Sequence, residues 1–184
     1  LSSKTRAQII DYCGDNYSVI ISKDTYDKLK IFAQDMRTSI FIVLISLFQF
    51  SLSKFTGETD ITVGVPIANR KLKEFEGIFG LFVNTIPIRA VFDQNYTFKD
   101  FLKLRSEQLV SDYENQDVPF ETIVNAVGGD RSMSYNPIFQ IMFVFQNTKE
   151  VSLNLFGTTS KRMNLSSQSA KCDSMIDGSE KIVY

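Results

Sequence analysis

The chain contains one long apolar run, and the length of that run limits what the fold can be. Residues 40–52 read IFIVLISLFQFSL, with Arg37 and Lys54 at the two flanks. A helix that spans a bilayer needs about 20 apolar residues, so this run is too short to cross a membrane. Because the run is apolar on nearly all sides, we predict a helix that is fully buried in a protein core and that ends at Gly57.

Several other segments show the spacing of helices or strands. Helical spacing and capping signals predict three more helices: one capped by Ser22, one opened by a capping box at Thr97 that runs to about Glu114, and one whose first residue is Pro119. Runs of β-branched and aromatic residues predict strands at 17–22, 60–68, 82–92, 138–146, near 151–156 and 162–166, and at 171–183. The order is not βαβ throughout. We therefore predict an α/β fold of the two-layer α+β kind, with a mixed β-sheet flanked by helices.

The composition excludes several classes of function. The chain has no histidine, which is the commonest general base at neutral pH and the commonest metal ligand. A Ser-His-Asp or Cys-His hydrolase is therefore excluded within this chain, and we predict no metal site. The formal net charge of −1 does not suit a nucleic-acid binder, and we expect no membrane partner.

Length and cysteine content suggest one domain in a reducing compartment. A chain of 184 residues is long enough for one sizeable core and too short for two. Cys13 and Cys172 are far apart in sequence and show no metal or redox spacing, so we expect reduced, buried cysteines in a cytoplasmic protein. A single long-range disulfide is the alternative. The first residue is Leu, and we expect the sequence to be a piece of a longer protein.

Three polar residues outside these patterns admit either a structural or a functional role. Asn84 interrupts an apolar strand, and a buried amide without hydrogen-bond partners costs about 1–3 kcal/mol. Asn84 therefore either binds a neighbouring segment or faces a ligand. Asp117 could join a pair of acid and base carboxylates, but a cap for the helix at Pro119 is the more usual role. Arg131 fits an ion pair that fixes its loop.

Three stretches, taken in order, carry more information than any single residue. They read GLFVNTIPIR at 80–89, NQDVPFE at 115–121 and RSMSYNPIFQIMF at 131–143. Together they closely resemble the last three sequence motifs of the condensation domains of nonribosomal peptide synthetases. TGETDITVGVPIANR at 56–70 and SAKCD at 169–173 are similar to two further segments of that family.

The chain also departs from the family pattern. Phe79 stands where Ile or Val is usual, Ser132 and Tyr135 replace an Asp and an Arg, and Cys172 replaces an aromatic residue. The largest departure is the HHxxxDG motif, whose second His is catalytic in the family and which has no counterpart here. The resemblance therefore implies the carboxy-terminal half, or lobe, of a condensation domain.

This resemblance sets the expected domain organisation and fold. The whole of 1–184 would be a single domain, in which 1–14 are linker-like, 15–173 match the family and 174–184 form a truncated end. Condensation domains resemble chloramphenicol acetyltransferase, with two similar lobes that enclose a tunnel. The fold implied for this chain is one such lobe.

The resemblance also implies an activity and its partners. Condensation domains join a donor acyl or peptidyl thioester to the amino group of an acceptor aminoacyl thioester. This chain would supply a tunnel wall, and alone it would be inactive because it has no catalytic His. It would hold no cofactor, because the phosphopantetheine arms belong to the carrier proteins. The implied partners are the amino-terminal condensation lobe, the donor and acceptor carrier proteins, and neighbouring synthetase modules.

Residue roles follow from the positions of the motifs. We assign Gly80, Phe82 and Asn84 to the substrate tunnel or the lobe junction, with Thr85 on the opposite face of the strand. Structural roles go to the remaining motif residues, namely Arg70, Gln116, Asp117, Pro119, Phe120, Arg131, Asn136 and Pro137. Of these, Arg70 and Arg131 are candidates for ion pairs between the lobes or within a loop.

Two other functions remain open on the sequence. The chain could be a non-catalytic lobe that docks carrier proteins or holds synthetase modules together. It could instead belong to a different acyltransferase of the same superfamily, although NQDVPFE and NPIFQ argue against this. An isolated lobe should expose the apolar surface that is meant for its partner lobe.

Overall fold

The computed structural model describes residues 8–9, 12–93, 95–128, 135–146, 156–158 and 168–179. In chain order its elements are α1 (Lys23–Asp35), α2 (Ile40–Thr56), β1 (Asp60–Ile67), β2 (Asn84–Val91), α3 (Phe98–Glu114), α4 (Phe120–Val127), β3 (Ile141–Gln146) and β4 (Ser174–Ser179). One turn of 3-10 helix, Lys73–Phe75, lies in the loop between β1 and β2.

The four strands form one mixed sheet in the order β2-β1-β3-β4. β1 pairs antiparallel with β2 along its whole length, from Asp60 opposite Val91 to Ile67 opposite Asn84. β1 runs parallel to β3, and β3 runs parallel to β4. The predicted fold class, a mixed sheet flanked by helices, is confirmed.

The main core lies between one face of the sheet and the helices α2 and α3. Its buried members are Ile45, Val63, Val65, Ile67, Ile86, Ile88, Leu109 and Phe143. A second cluster of Ala33, Val43 and Leu102 attaches α1 to the same two helices. α2 is therefore the central helix that its sequence predicts. It is not buried on all sides, however, because the Phe55 side chain in its last turn is 79% exposed.

The helix ends follow the capping signals in the sequence. The Ser22 hydroxyl accepts a hydrogen bond from the Thr25 amide, and Thr97 and Asp100 form the predicted capping box. Gly57 ends α2 in the left-handed conformation that favours glycine. Pro119 is the residue just before the first turn of α4, not the first helical residue as predicted.

Some predicted strands are wrong or shorter than expected. Residues 17–22 form no strand, although their β-branched pattern predicted one, and their apolar side chains are exposed. β3 begins three residues later than predicted because Ile138 takes a positive φ of 68°, which a strand residue does not adopt. β4 likewise begins three residues later than the predicted 171, and the predicted 180–183 lie outside the described residues. The strands expected near 151–156 and 162–166 lie almost entirely outside the described residues.

Neither cysteine forms a disulfide, so the alternative of a long-range disulfide is not realised. Cys13 is exposed and Cys172 is partly buried, so the expectation of buried cysteines is wrong for Cys13.

Within the ranges given above, no single helix combines the length and hydropathy of a membrane span. Only α1 and α2 counted together do so, and they are bent by 106° relative to each other.

Two polar side chains lie inside the core, where α2 and α3 meet the sheet. Gln49 donates to the Ile61 and Ile88 carbonyls at 3.1 and 2.8 Å, which joins α2 to β1 and β2. Arg105, only 2% exposed, donates to the Arg89 carbonyl at 2.7 Å and to Gln49 Oε1 at 3.3 Å. Because Arg105 falls on the apolar face of α3, its sequence position predicts either a place at the rim or a partner. The structure shows it buried and bonded to neutral oxygens.

Asp112 lies seven residues, or about two helical turns, after Arg105 on α3. Burial shifts the pKa of both side chains. Burial lowers the pKa of Arg105, and the charge of Asp112 opposes that shift. Burial also raises the pKa of Asp112, against the attraction of Arg105. Asp112 Oδ2 has no hydrogen-bond partner among the described residues. The charged form of this carboxyl is therefore disfavoured in the folded protein.

We expect Asp112 to make stability depend on pH. Its raised pKa means that the folded state binds the proton more tightly than the unfolded state, so its contribution is fully present below about pH 3.8 and is lost as the pH rises through the folded-state pKa. Asp112→Asn should therefore raise the urea midpoint at pH 7, with a smaller difference at pH 4. Glu107→Gln, an exposed change on the same helix, is the control. Equal gains at the two pH values would contradict this assignment.

We also expect Gly64 to be essential for packing. A Cβ atom at Gly64 would lie 2.3 Å from ring atoms of Phe139, so Gly64→Ala should reduce the free energy of unfolding by about 1–3 kcal/mol in urea titrations. Gly77→Ala is the matched control, because its Cβ would meet nothing within 4 Å. Equal stability of the two variants would show that the Phe139 ring can move aside.

Candidate functional site

The segment before β2 exposes a line of apolar side chains. Phe79, Leu81 and Val83 are 103%, 93% and 59% exposed, and we call these three residues the apolar strip. All three lie within five residues of one another, and the chain bends at Gly80 between Phe79 and Leu81. The alternate residues Gly80 and Phe82 make contacts within the protein. Exposed apolar surface of this kind is typical of an interaction site.

Arg70, near the start of the loop between β1 and β2, contacts this segment. Its guanidinium donates to the Phe75 carbonyl and, at 3.4 Å, to the Gly80 carbonyl. Its Cζ also lies 4.2 Å from the centre of the Phe82 ring, within cation–π range. Arg70 therefore fixes a loop, as predicted. The predicted ion pair within the loop is wrong, because Arg70 binds carbonyls and a ring, with no carboxylate partner in the described part of the chain. An ion pair between the lobes stays a prediction.

Asn84 connects the first residue of β2 to the turn between α3 and α4. Its amide nitrogen donates to the Gln116 carbonyl at 2.9 Å and to the Val118 carbonyl at 2.8 Å. Its amide oxygen accepts from the Phe120 backbone N–H at 3.2 Å, which caps α4 from a distant part of the sequence. The side chain thus binds a neighbouring segment, the first of the two roles that the sequence left open.

Asn84 and Thr85 lie on opposite faces of the sheet. Asn84 has the same parity as Ile86 and Ile88, which pack against the helices. Thr85 lies on the other face, where Phe139 covers Gly64. The predicted opposition of the two side chains agrees with this placement. The assignment of Asn84 to a substrate tunnel stays a prediction.

Gln116 and Asp117 belong to the turn that Asn84 holds. Gln116 donates to the Tyr113 carbonyl at 2.8 Å, and Asp117 forms an ion pair with Lys71. The expected cap of α4 by Asp117 is wrong, since Pro119 precedes the helix without a side-chain cap and Asn84 binds its first N–H. A partner 46 residues away in sequence takes the Asp117 carboxylate instead.

The remaining motif residues lie beside the start of β3. The Phe120 ring packs against Phe139, with 5.3 Å between ring centres. The Pro137 carbonyl accepts from the Phe139 amide at 2.8 Å, and the Asn136 side chain donates to the Lys171 carbonyl at 2.9 Å. These contacts are structural. Arg131, together with the loop interpretation made for it, lies outside the described residues.

The structure thus forms two groups from the predicted residues. Arg70, Gly80 and Phe82 form one group, and Asn84 with the 116–120 turn forms the other. Sequence reasoning missed Phe75 and Phe139, which supply the packing surfaces for Phe82 and Phe120. Phe139 lies within the RSMSYNPIFQIMF stretch and Phe75 lies in the same loop as Phe82, but the sequence does not show which ring each of them meets.

The arrangement suits binding more than chemistry. Among the described residues, no group of three or more Cys, Asp or Glu side chains could hold a metal ion. Arg105 and Asp112, whose pKa values are shifted by burial, lie in the core and not at the apolar strip. The site consists of the exposed apolar strip beside a turn that Asn84 holds by hydrogen bonds.

We expect Asn84 to be important for stability. Asn84→Ala removes three hydrogen bonds to backbone groups and should reduce the free energy of unfolding by about 1–3 kcal/mol in urea titrations. Asn84→Asp keeps the acceptor for the Phe120 N–H but loses both donors, so it should also destabilise. Thr85→Ala on the opposite face is the control, with an expected change within about 0.5 kcal/mol. If Asn84→Ala matched this control, the Asn84 contacts would be unimportant for the fold.

Comparison with known proteins identifies the family. The family model of the condensation domain matches residues 1–177. Gramicidin S synthase 2 of Brevibacillus brevis is 36% identical over 176 residues, which cover 96% of this chain and 4% of that protein. Bacitracin synthase 1 of Bacillus licheniformis is 34% identical, with 91% and 3% covered. The chain therefore spans only a few per cent of the length of these relatives.

Solved structures show the same fold. A four-domain nonribosomal peptide synthetase, holo-AB3403 bound to AMP and glycine, aligns with a TM-score of 0.79 at 22% identity, covering 96% of this chain and 15% of that chain. The first condensation domain of the CDA synthetase aligns with a TM-score of 0.70 at 16% identity, with 93% and 38% covered. Together with the family match, these alignments show that the chain belongs to the condensation domain family found in nonribosomal peptide synthetases.

Proposed function

We propose that this chain is the carboxy-terminal lobe of an amide-bond-forming condensation domain, and that the catalytic His is on the other lobe. The chain itself has no His. It covers 38% of the CDA condensation domain chain and 34% of the condensation domain from the MokA polyketide synthase, so more than half of each lies outside the match. Both facts support a lobe that works with a second one.

The observation that carries this proposal is the apolar strip. Leu81 and Val83 lie within the GLFVNT motif and Phe79 lies directly before it, just ahead of the first residue of β2. Three exposed apolar side chains on one short segment are costly to leave in water, at about 25 cal/mol per Å² of apolar surface. A second lobe would cover them. Gly80 and Phe82 then lie at the lobe junction, and Asn84 supports the junction by holding the adjacent turn.

The proposed reaction joins two carrier-bound substrates. The amino group of the acceptor aminoacyl thioester attacks the donor thioester carbonyl, the C–N bond forms, and the C–S bond breaks. The donor thiol then leaves on its phosphopantetheine arm, and the amine loses a proton. Both arms belong to carrier proteins, so this lobe needs no cofactor of its own. Its part is to form one wall of the tunnel in which the two ends meet, which is catalysis by proximity.

The same proposal specifies the partners and the cellular location of the protein. The partners are the amino-terminal lobe, the donor and acceptor carrier proteins, and adjacent synthetase modules. We place the protein in the cytoplasm, which is consistent with two free cysteines.

The test uses the full protein that the native open reading frame encodes. We expect it to form an amide product, detected by mass spectrometry, once its carrier proteins are loaded with donor and acceptor. Phe79→Ser combined with Leu81→Ser should lower the rate of product formation at least about tenfold, because polar side chains weaken the lobe contact. Loading of the carriers should not change.

Phe55→Ser is the matched control, since Phe55 is also exposed but lies at the end of α2, away from the motif. It should leave product formation unchanged. If loaded wild-type protein binds its carriers but forms no amide, the catalytic proposal is wrong, and the non-catalytic docking function is favoured instead.

A further inference from the structure

The apolar strip lies in a segment that belongs to no helix or strand. Residues 77–83 lie outside the regular elements, between the 3-10 turn and β2. A stretch outside helices and strands with three exposed apolar side chains would otherwise sample many conformations, and ordering a backbone costs about 1–2 kcal/mol per residue. Contacts from elsewhere in the chain must therefore hold the apolar strip in place.

The residue just before Arg70 has an unusual backbone conformation. Asn69 has a positive φ of 50°, a left-handed conformation that Asn tolerates better than most residues. Asn69 lies two residues after the end of β1 and directly precedes Arg70. The Arg70 side chain then extends to residues five and ten positions later in the sequence.

Three contacts connect Arg70 to this segment. The first is the hydrogen bond to the Phe75 carbonyl, which also accepts the Ile78 amide at 3.3 Å. The second is the 3.4 Å hydrogen bond to the Gly80 carbonyl. The third is the stacking of the guanidinium on Phe82, whose ring lies 5.7 Å from that of Phe75. Arg70 thus binds both the start and the middle of the segment.

These contacts determine which side chains point outward. Gly80 and Phe82 are held on the side of Arg70, and a Cβ at Gly80 would already approach Phe82 to 3.1 Å. Phe79, Leu81 and Val83 are left in solvent, at 103%, 93% and 59% exposed. Only a planar cation with several donors can bind two carbonyls and stack on a ring at once, which Lys cannot do.

We propose that Arg70 is a positioning residue that preorganises the apolar strip for docking against the rest of the condensation domain. This inference rests on the proposed function, which makes the other lobe the partner. Much of a condensation domain lies outside this chain, which covers 38% of the solved CDA domain chain. With the strip ordered before contact, less conformational entropy is lost when the lobes meet.

The experiment compares Arg70→Met and Arg70→Lys with Arg37→Met in the full native protein. Arg37 is an exposed arginine in the turn between α1 and α2, so its loss controls for the change in charge. Hydrogen exchange followed by mass spectrometry reports on the peptides 77–83 and 84–91 separately. Formation of the amide product reports on function.

We expect exchange in 77–83 to become about tenfold faster in both Arg70 variants, with 84–91 unchanged. Product formation should fall about tenfold, and neither readout should change in Arg37→Met. A merely structural role would speed exchange in β2 and lower the melting temperature as well. That pattern would overturn the inference.

The failures of the two proposals are distinguishable. If wild-type protein forms the amide and the Arg70 variants form it equally fast, Arg70 does not position the strip, and the proposed function stands. If wild-type protein forms no amide, the proposed function is wrong and the inference about docking fails with it. In either case the exchange of 77–83 shows whether Arg70 orders this segment.

Discussion

The fold depends on a buried hydrogen-bond network between its two long helices and its central strand pair. Gln49 on α2 binds carbonyls of both β1 and β2, and Arg105 on α3 binds a β2 carbonyl and Gln49 itself. Among the described residues every other polar side-chain nitrogen and oxygen of Gln49 and Arg105 finds a partner, and only Arg105 Nε does not, so the network restricts how the helices and strands can be arranged. It therefore sets the position of β2, and with it everything attached to the two ends of that strand.

The candidate site is attached to one of those ends. Asn84 opens β2 and holds the turn before α4, while the chain just before it forms the apolar strip. A strand fixed by the core thus supports both a buried polar junction and an exposed apolar edge. This combination explains how one short motif serves the fold and the proposed lobe contact at once. Arg70 binds the loop that carries the apolar strip, through two carbonyls and the Phe82 ring.

Much of the fold could be predicted because its signals are local. Capping at Ser22 and Thr97 and the left-handed stop at Gly57 each depend on residues within one or two turns. The strand expected at 17–22 failed for the opposite reason. A strand needs a partner, and β-branched residues alone do not supply one. In the same way, Arg105 could not be placed from its helix pattern, because its carbonyl partner belongs to a strand.

The sequence by itself determined the family, the main helices, the central strands and the absence of a catalytic histidine from this chain. The tertiary structure alone decided the roles of the polar residues. Asn84, Asp117 and Arg70 each had a plausible local interpretation. Asn84 and Asp117 found partners 32–46 residues away, and Arg70 found carbonyls and a ring where a carboxylate was expected. The physical reason is that hydrogen bonds act over about 3 Å, so a polar residue's role depends on which segments the folded backbone brings within that distance.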